Sequence, residues 1–104
     1  MQQVPSDTLR KIEEHFHAVI RGRAAQLIDG YAVQLPSLAP LLALEEPKAW
    51  FPIPGMYGGF SYWLEGKGEQ TKLISESWSR VVGGSGQRHE ITGEGSKLVD
   101  EGFV

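Results

Sequence analysis

Acid–base work near neutral pH needs a histidine with one ring nitrogen held in place, and the pairing in this chain that offers it is His89 with Asp100. A carboxylate beside an imidazole fixes its tautomer and raises its basicity, leaving the other nitrogen to exchange a proton. Arg80 could hold a carboxylate or enolate nearby, although its charge pushes a neighbouring imidazole towards the neutral form. His89 and Asp100 are therefore the candidate catalytic residues. No nucleophile joins them. Cysteine is absent, and Gly83-Gly84-Ser85-Gly86-Gln87 ends on Gln87 where a nucleophile elbow requires glycine. That stretch reads as a hairpin turn. Gly66-Lys67-Gly68 lacks the spacing of a phosphate loop. His15 and His17 are two apart on a helical stretch, about 200° around its axis, and so cannot share a metal as i, i+4 histidines do. They read as solvent-facing side chains, or as an ion pair of His17 with Glu13. Neither a metal nor a cofactor is expected.

One core must position these residues. A chain of 104 residues has room for a single domain. Hydrophobic residues make up 40% and charged residues 22%, the balance of a globule rather than of a disordered or fibrous chain. Without cysteine there can be no disulfide framework and no thiolate metal site. The formal charge of −3 comes from 13 acidic and 10 basic residues mixed along the chain. Nucleic-acid binding, which needs a clustered positive face, is not expected. Phe60, Tyr62, Trp63 and Trp78 lie among as many acids as bases, so they read as packing residues and not as a base-stacking platform. No apolar run approaches the roughly 18 residues of a membrane span, and the N-terminus has no signal-peptide core. The expected setting is the cytoplasm, with no membrane partner.

The chain divides into a helical part, a connection and a sheet. Over residues 6–35, Leu9, Ile12, Phe16, Val19, Ile20, Ala24, Leu27, Ile28 and Tyr31 recur every three or four positions as one apolar stripe. Ser6 is placed to cap this long or kinked helix and Asp7 to charge its first turn. Gly22 could divide it, Gly30 could end it, and Pro36 is its latest stop. Residues 37–58 form a proline-rich connection in which Ser37 can cap a short helix through Leu41, Leu42 and Leu44. The apolar run Trp50-Phe51-Pro52-Ile53-Pro54-Gly55-Met56-Tyr57 cannot be helical and is expected across an edge or mouth of the core. Eleven of the 13 glycines follow residue 54, where the period changes to two. Strands are predicted at 60–65, 72–82, 87–92 and 97–103, an antiparallel meander over 59–104. The fold class is α+β: an N-terminal amphipathic helix packed on a four-stranded curved antiparallel sheet.

Register turns the meander into a candidate site. A turn centred on Gly84-Ser85 sets Val82 opposite Gln87, Arg80 opposite His89 and Trp78 opposite Ile91. A turn centred on Glu94-Gly95 sets Ile91 opposite Leu98, His89 opposite Asp100 and Arg88 opposite Glu101. The first hairpin is expected to place Tyr62 and Leu64 beside Glu76 and Ile74. Ile74, Glu76, Trp78, Arg80, Val82, His89, Ile91, Leu98 and Asp100 then share the core-facing side, with Ser75, Ser77, Ser79, Arg88, Glu90, Thr92 and Glu101 on the other. Tyr62, Glu76, Trp78, Arg80 and His89 become ligand-binding candidates lining a pocket between helix and sheet. Self-association is expected through Trp50, Phe51 and Tyr57 of the apolar loop and through Ser77 and Ser79 on the outer sheet face.

The amphipathic helix, the run Glu76-Ser77-Trp78-Ser79-Arg80-Val81-Val82-Gly83-Gly84-Ser85-Gly86-Gln87-Arg88-His89-Glu90-Ile91-Thr92 and the last strand together resemble the NTF2-like group. These are cone-shaped domains in which helices pack inside a strongly curved sheet. The resemblance covers half to two-thirds of the chain, with residues 37–58 standing where the group has a strand and a helix. It implies a pocket between sheet and helices and dimers through the outer sheet face, but carries over no catalytic residue. Members include isomerases, cyclases and non-catalytic binding domains, so fold alone does not choose among them. The leading expectation is a self-associating domain that binds a small organic ligand in that pocket. An isomerase or lyase using His89 and Asp100 is the alternative, and an interaction module gripping another protein through residues 50–57 is a third.

Overall fold

The computed structural model describes residues 4–27, 34–43, 48–53, 58–80 and 85–102. The apolar stripe forms helix α1, Ser6–Leu27, followed by a short α2, Ala39–Ala43. The strands are β1 Ala49–Ile53, β2 Gly58–Glu65, β3 Lys72–Ser79, β4 Ser85–Thr92 and β5 Gly95–Glu101, with a 3-10 turn at Gly68–Gln70. All neighbours pair antiparallel in the order β1-β2-β3-β4-β5. The architecture is α+β, one main helix on a sheet of five strands rather than four. The additional strand is β1, from the apolar run around Trp50. Pro52 cannot donate to a ladder, which confines β1 to the sheet margin. Among the described residues no helix is long and apolar enough to cross a membrane.

The helix begins at its expected cap, one residue early. The Leu9 amide donates to the Pro5 carbonyl at 3.0 Å, so Pro5 closes the first turn and Ser6 is already helical. Gly22 does not divide the helix, because buried Val19, Ile20, Arg23 and Ala24 tie the backbone to the sheet on either side of it. The predicted helix to residue 35 has ended before Gln34; Gly30 and Tyr31 lie outside the described residues. The chain that follows is strapped onto α1. The His17 Nε2–H donates to the Pro36 carbonyl at 2.6 Å, and the Leu38 amide donates to Glu13 Oε2 at 2.7 Å. His17 and Glu13, expected either to face solvent or to pair with each other, each hold this strap instead. Ser37 Oγ accepts from the Ala39 amide at 3.3 Å, the role expected for it at the start of the short helix. A Cβ added at Gly22 meets nothing within 4 Å. Gly22→Ala should therefore raise unfolding free energy by about 0.5–1 kcal/mol in urea denaturation, through lower unfolded-chain entropy and better helix propensity.

Phe16 is the centre of the core. Its ring lies 4.9 Å from that of Tyr62 and 6.2 Å, edge-on, from that of Phe60. Ile12, Val19, Ile20, Ala24, Leu38, Leu73 and Ile91 complete the buried cluster. Register divides the sheet into transverse rows facing the helix. Leu64, Leu73, Ile91 and Ser96 form one, Ala49, Tyr62, Ser75, His89 and Leu98 the next, and Phe51, Phe60, Ser77, Gln87 and Glu101 a third. The inner surface thus changes from apolar to polar along the strands, and from aromatic to polar towards β5.

This pattern corrects the expected faces. Ser75, not Arg80, is opposite His89, a displacement of five residues between β3 and β4. Tyr62 is opposite Ser75 rather than Glu76, a displacement of one. Odd displacements move a strand's side chains to the other face. β3 ends at Ser79, where its partner β2 begins at Gly58, and Val82, the predicted end of the strand, lies outside the described residues. The turn between β4 and β5 is Gly93-Glu94, setting Thr92 opposite Gly95. A bulge beyond it leaves Val99 without a partner on β4.

Candidate functional site

Three serines in succession, Ser75, Ser77 and Ser79, point inward from the central strand, and all are buried. Small side chains on a central strand form a trough when their neighbours are large. Here Tyr62 and Phe60 stand on one side, with His89 and Gln87 on the other. Along α1, the apolar stripe passes from Phe16 and Ile20 to Arg23, which is 7% exposed. Its charge acts on His89 and is itself favoured by Glu101, and both of these residues belong to the polar rows of the inner sheet face.

The electrostatics of these rows follow from burial. Desolvation lowers the Arg23 pKa, with Glu101 opposing. Burial, and after it the Arg23 charge, pushes His89 below the ordinary imidazole value of 6.5, while burial raises Tyr62. His89 is therefore neutral in the folded protein over more of the acid range than in the unfolded chain. Two atoms stand out. Ser75 Oγ and His89 Nδ1 are buried and have no hydrogen-bond partner among the described residues, although their residues are directly opposite each other. The Ser77 hydroxyl donates to the Gln87 carbonyl at a long 3.5 Å.

Of the residues expected to line a pocket, the structure keeps Tyr62 and His89 together, flanking Ser75, and sends the others elsewhere. Glu76 and Trp78 alternate with the inner serines and so occupy the outer face. Glu76 accepts from Arg88 Nη2 at 2.7 Å and lies 4.0 Å from Lys48 Nζ. Arg80, just past β3, is exposed and lies over the Trp78 ring at 5.9 Å. Asp100 is opposite Arg88 on the outer face, and Leu98 takes the place expected for it beside His89. The pair proposed for acid–base catalysis is not assembled.

The expected interface set is also redistributed. Phe51 faces the core, and Ser77 and Ser79 are buried on the core-facing side rather than on the outer face. Tyr57 lies outside the described residues. Trp50 remains on the surface, stacked on Trp78 at 5.7 Å with the rings inclined by 25°. Gly59 admits the close approach of β1, since a Cβ there would collide with the Phe51 carbonyl and Pro52 Cα and come within 3.0 Å of the Trp50 ring. Lys48 lies 4.5 Å over the Trp63 ring, and Trp63 Nε1–H donates to Glu65 at 3.0 Å. Arg23 and the inward serines were missed from the sequence. The alternation Phe60, Tyr62, Leu64 marks the inner face of β2, and pairing Leu64 with Leu73 would have brought the serines inward. A shallow depression of about 300 Å³ beside the β4–β5 turn, lined by Glu90, Thr92, Glu94, Gly95, Ser96 and Lys97, opens to solvent away from this trough.

Comparison with protein families, with curated proteins and with solved structures finds no match. Function must therefore be read from the site itself.

The His89 environment makes a pH prediction. A histidine with a depressed folded pKa contributes stability that is complete above its unfolded value, about 6.5, and is lost as pH falls through the folded value. The unfolding free energy of the wild type, from urea titrations, should decline over this interval by at most about 1.4 kcal/mol per pH unit from this residue. His89→Gln should flatten the profile there. Equal profiles for the two proteins would show that His89 is solvated in the fold.

Proposed function

We propose that this domain binds a small organic acid between the C-terminal half of α1 and the serine trough of β3. The observation that carries the reading is the facing pair of buried, unsatisfied atoms, Ser75 Oγ and His89 Nδ1. Such atoms are rare in folded proteins, and each calls for a water, an ion or a ligand. Arg23 supplies the charge that favours an acid over a neutral molecule. Tyr62 offers an apolar wall on the other side of Ser75. A bound carboxylate would accept from the Ser75 hydroxyl and from His89, and its charge would draw a proton onto the imidazole at mildly acid pH. Binding is favoured over turnover because the carboxylate that would orient His89 for catalysis faces the opposite side of the sheet.

Native mass spectrometry of gently purified protein, followed by thermal shift with a panel of small aliphatic and aromatic carboxylic acids, tests this. A retained acid, or a selective melting-temperature rise that is absent in Arg23→Gln, is the expected result. A bare protein that no acid stabilises would leave the unsatisfied pair to an internal water and remove the reading.

A further inference from the structure

The two margins of the sheet are unlike. β1 is five residues long and contains Pro52, features that discourage further pairing. β5 is seven residues long, and every residue from Ser96 to Glu101 is exposed, including Leu98 at 45% and Val99 at 42%. Among the described residues no strand pairs with its outer edge.

The charges on the outer face point to what does. Across β3, β4 and β5 the row Glu76, Arg88, Asp100 alternates negative, positive, negative. Beside it Glu90 stands opposite Lys97, negative then positive, and is joined from the diagonal by Lys72, whose Nζ lies 3.1 Å from Glu90. Both series stop at the open edge, one on an acid and the other on a base. A second copy placed by a twofold axis continues each with the other.

We propose that β5 pairs antiparallel with β5 of a second copy, about a twofold axis between Leu98 and Val99, joining the two sheets into one. In this register Lys97 stands opposite Asp100 of the second copy, Leu98 opposite Val99, and Ser96 opposite Glu101. Between regular strands, an axis between adjacent residues would set side chains of opposite faces against each other. The bulge at Val99 supplies the extra residue that restores the match: Lys97 and Asp100 are both outward, and Ser96 and Glu101 both inward. Bulges and charged residues protect edges from indiscriminate pairing. On β5 they leave one register in which charge, face and apolar contact agree. The isologous interface therefore lies on this edge, away from the Trp50 and Trp78 surface.

Sedimentation equilibrium of the full chain at low salt provides the test. The wild type should dimerise, and Lys97→Asp and Asp100→Lys should each weaken the dimer about tenfold or more, because the twofold repeats every like-charge contact. Mixing these two variants in equal amounts should restore association, since their heterodimer again sets acid against base. Val99→Lys, an exposed change beside the axis, should also abolish the dimer and gives a separate reading if either charge variant folds poorly by circular dichroism. A wild type that stays monomeric, a dimer indifferent to these changes, or a mixture that does not reassociate would each overturn the proposal.

Discussion

Phe16→Ala should come close to unfolding this domain. The side chain is fully buried, and its ring bridges α1 to Phe60 and Tyr62 on β2. Truncating a buried phenylalanine removes its transfer free energy and leaves a cavity, together about 3–5 kcal/mol. The whole stability of a small domain is about 5–15 kcal/mol. At this chain length each kilocalorie lowers the melting temperature by about 4–8 °C, so a fall of roughly 12–40 °C is expected in thermal denaturation. Arg10, whose contacts to Asp7 and Glu14 are solvent-exposed, supplies the control: Arg10→Ala should leave the midpoint nearly unchanged. A Phe16→Ala loss as small as that of the control would mean that α1 is not packed on the sheet.

That dependence on one aromatic explains why the helix was legible in the sequence. Only one face of α1 is apolar, so Ile12, Phe16, Val19, Ile20 and Ala24 could point nowhere but to the core. Strand positions were legible for a related reason: the glycines at 66, 68, 93 and 95 punctuate the meander, and β3 starts at the predicted residue. Faces were harder to read. β3 carries Leu73 and Ile74 side by side, and Trp78 further on, so apolar residues occur on both of its sides. Ile74 is buried on the outer face, on the row between Trp63 and Glu90, and imitates a core residue. The 3-10 turn at Gly68–Gln70 and the bulge at Val99 each change the pairing by a residue, which pattern alone does not announce. Arg23 sits on the apolar stripe of α1, and its role depends on which strand face lies beneath it.

The two faces of the sheet consequently have different chemistry. Outside, each charge stands near an opposite one or an aromatic ring: Arg88 with Glu76, Lys72 with Glu90, Lys48 over Trp63 and Arg80 over Trp78. Hydrogen bonding to Glu76 holds Arg88 in its charged form. Inside, the hydroxyls of β3 are removed from water, and at Ser75 nothing in the described residues replaces it. A fold selected for stability alone would place alanine or valine there.

Ser75 therefore separates a structural role from a binding one. A serine that holds the fold together loses stability when its hydroxyl is removed. An unsatisfied buried hydroxyl behaves oppositely: its desolvation penalty, about 1–3 kcal/mol, disappears with it. Ser75→Ala should accordingly leave the ligand-free protein as stable as the wild type, or raise its unfolding free energy by about 1 kcal/mol. The same change should weaken binding of a stabilising carboxylic acid by about tenfold, the worth of one hydrogen bond to a charged group. Ser75→Val goes further, because a branched side chain suits a strand but sets methyl groups in place of the hydroxyl between Tyr62 and His89. It should abolish the ligand-induced thermal shift while circular dichroism shows an intact sheet. Paired urea titrations, with and without the acid, read both effects. A destabilised Ser75→Ala protein that still binds would assign the hydroxyl to the fold and empty the trough of its proposed ligand.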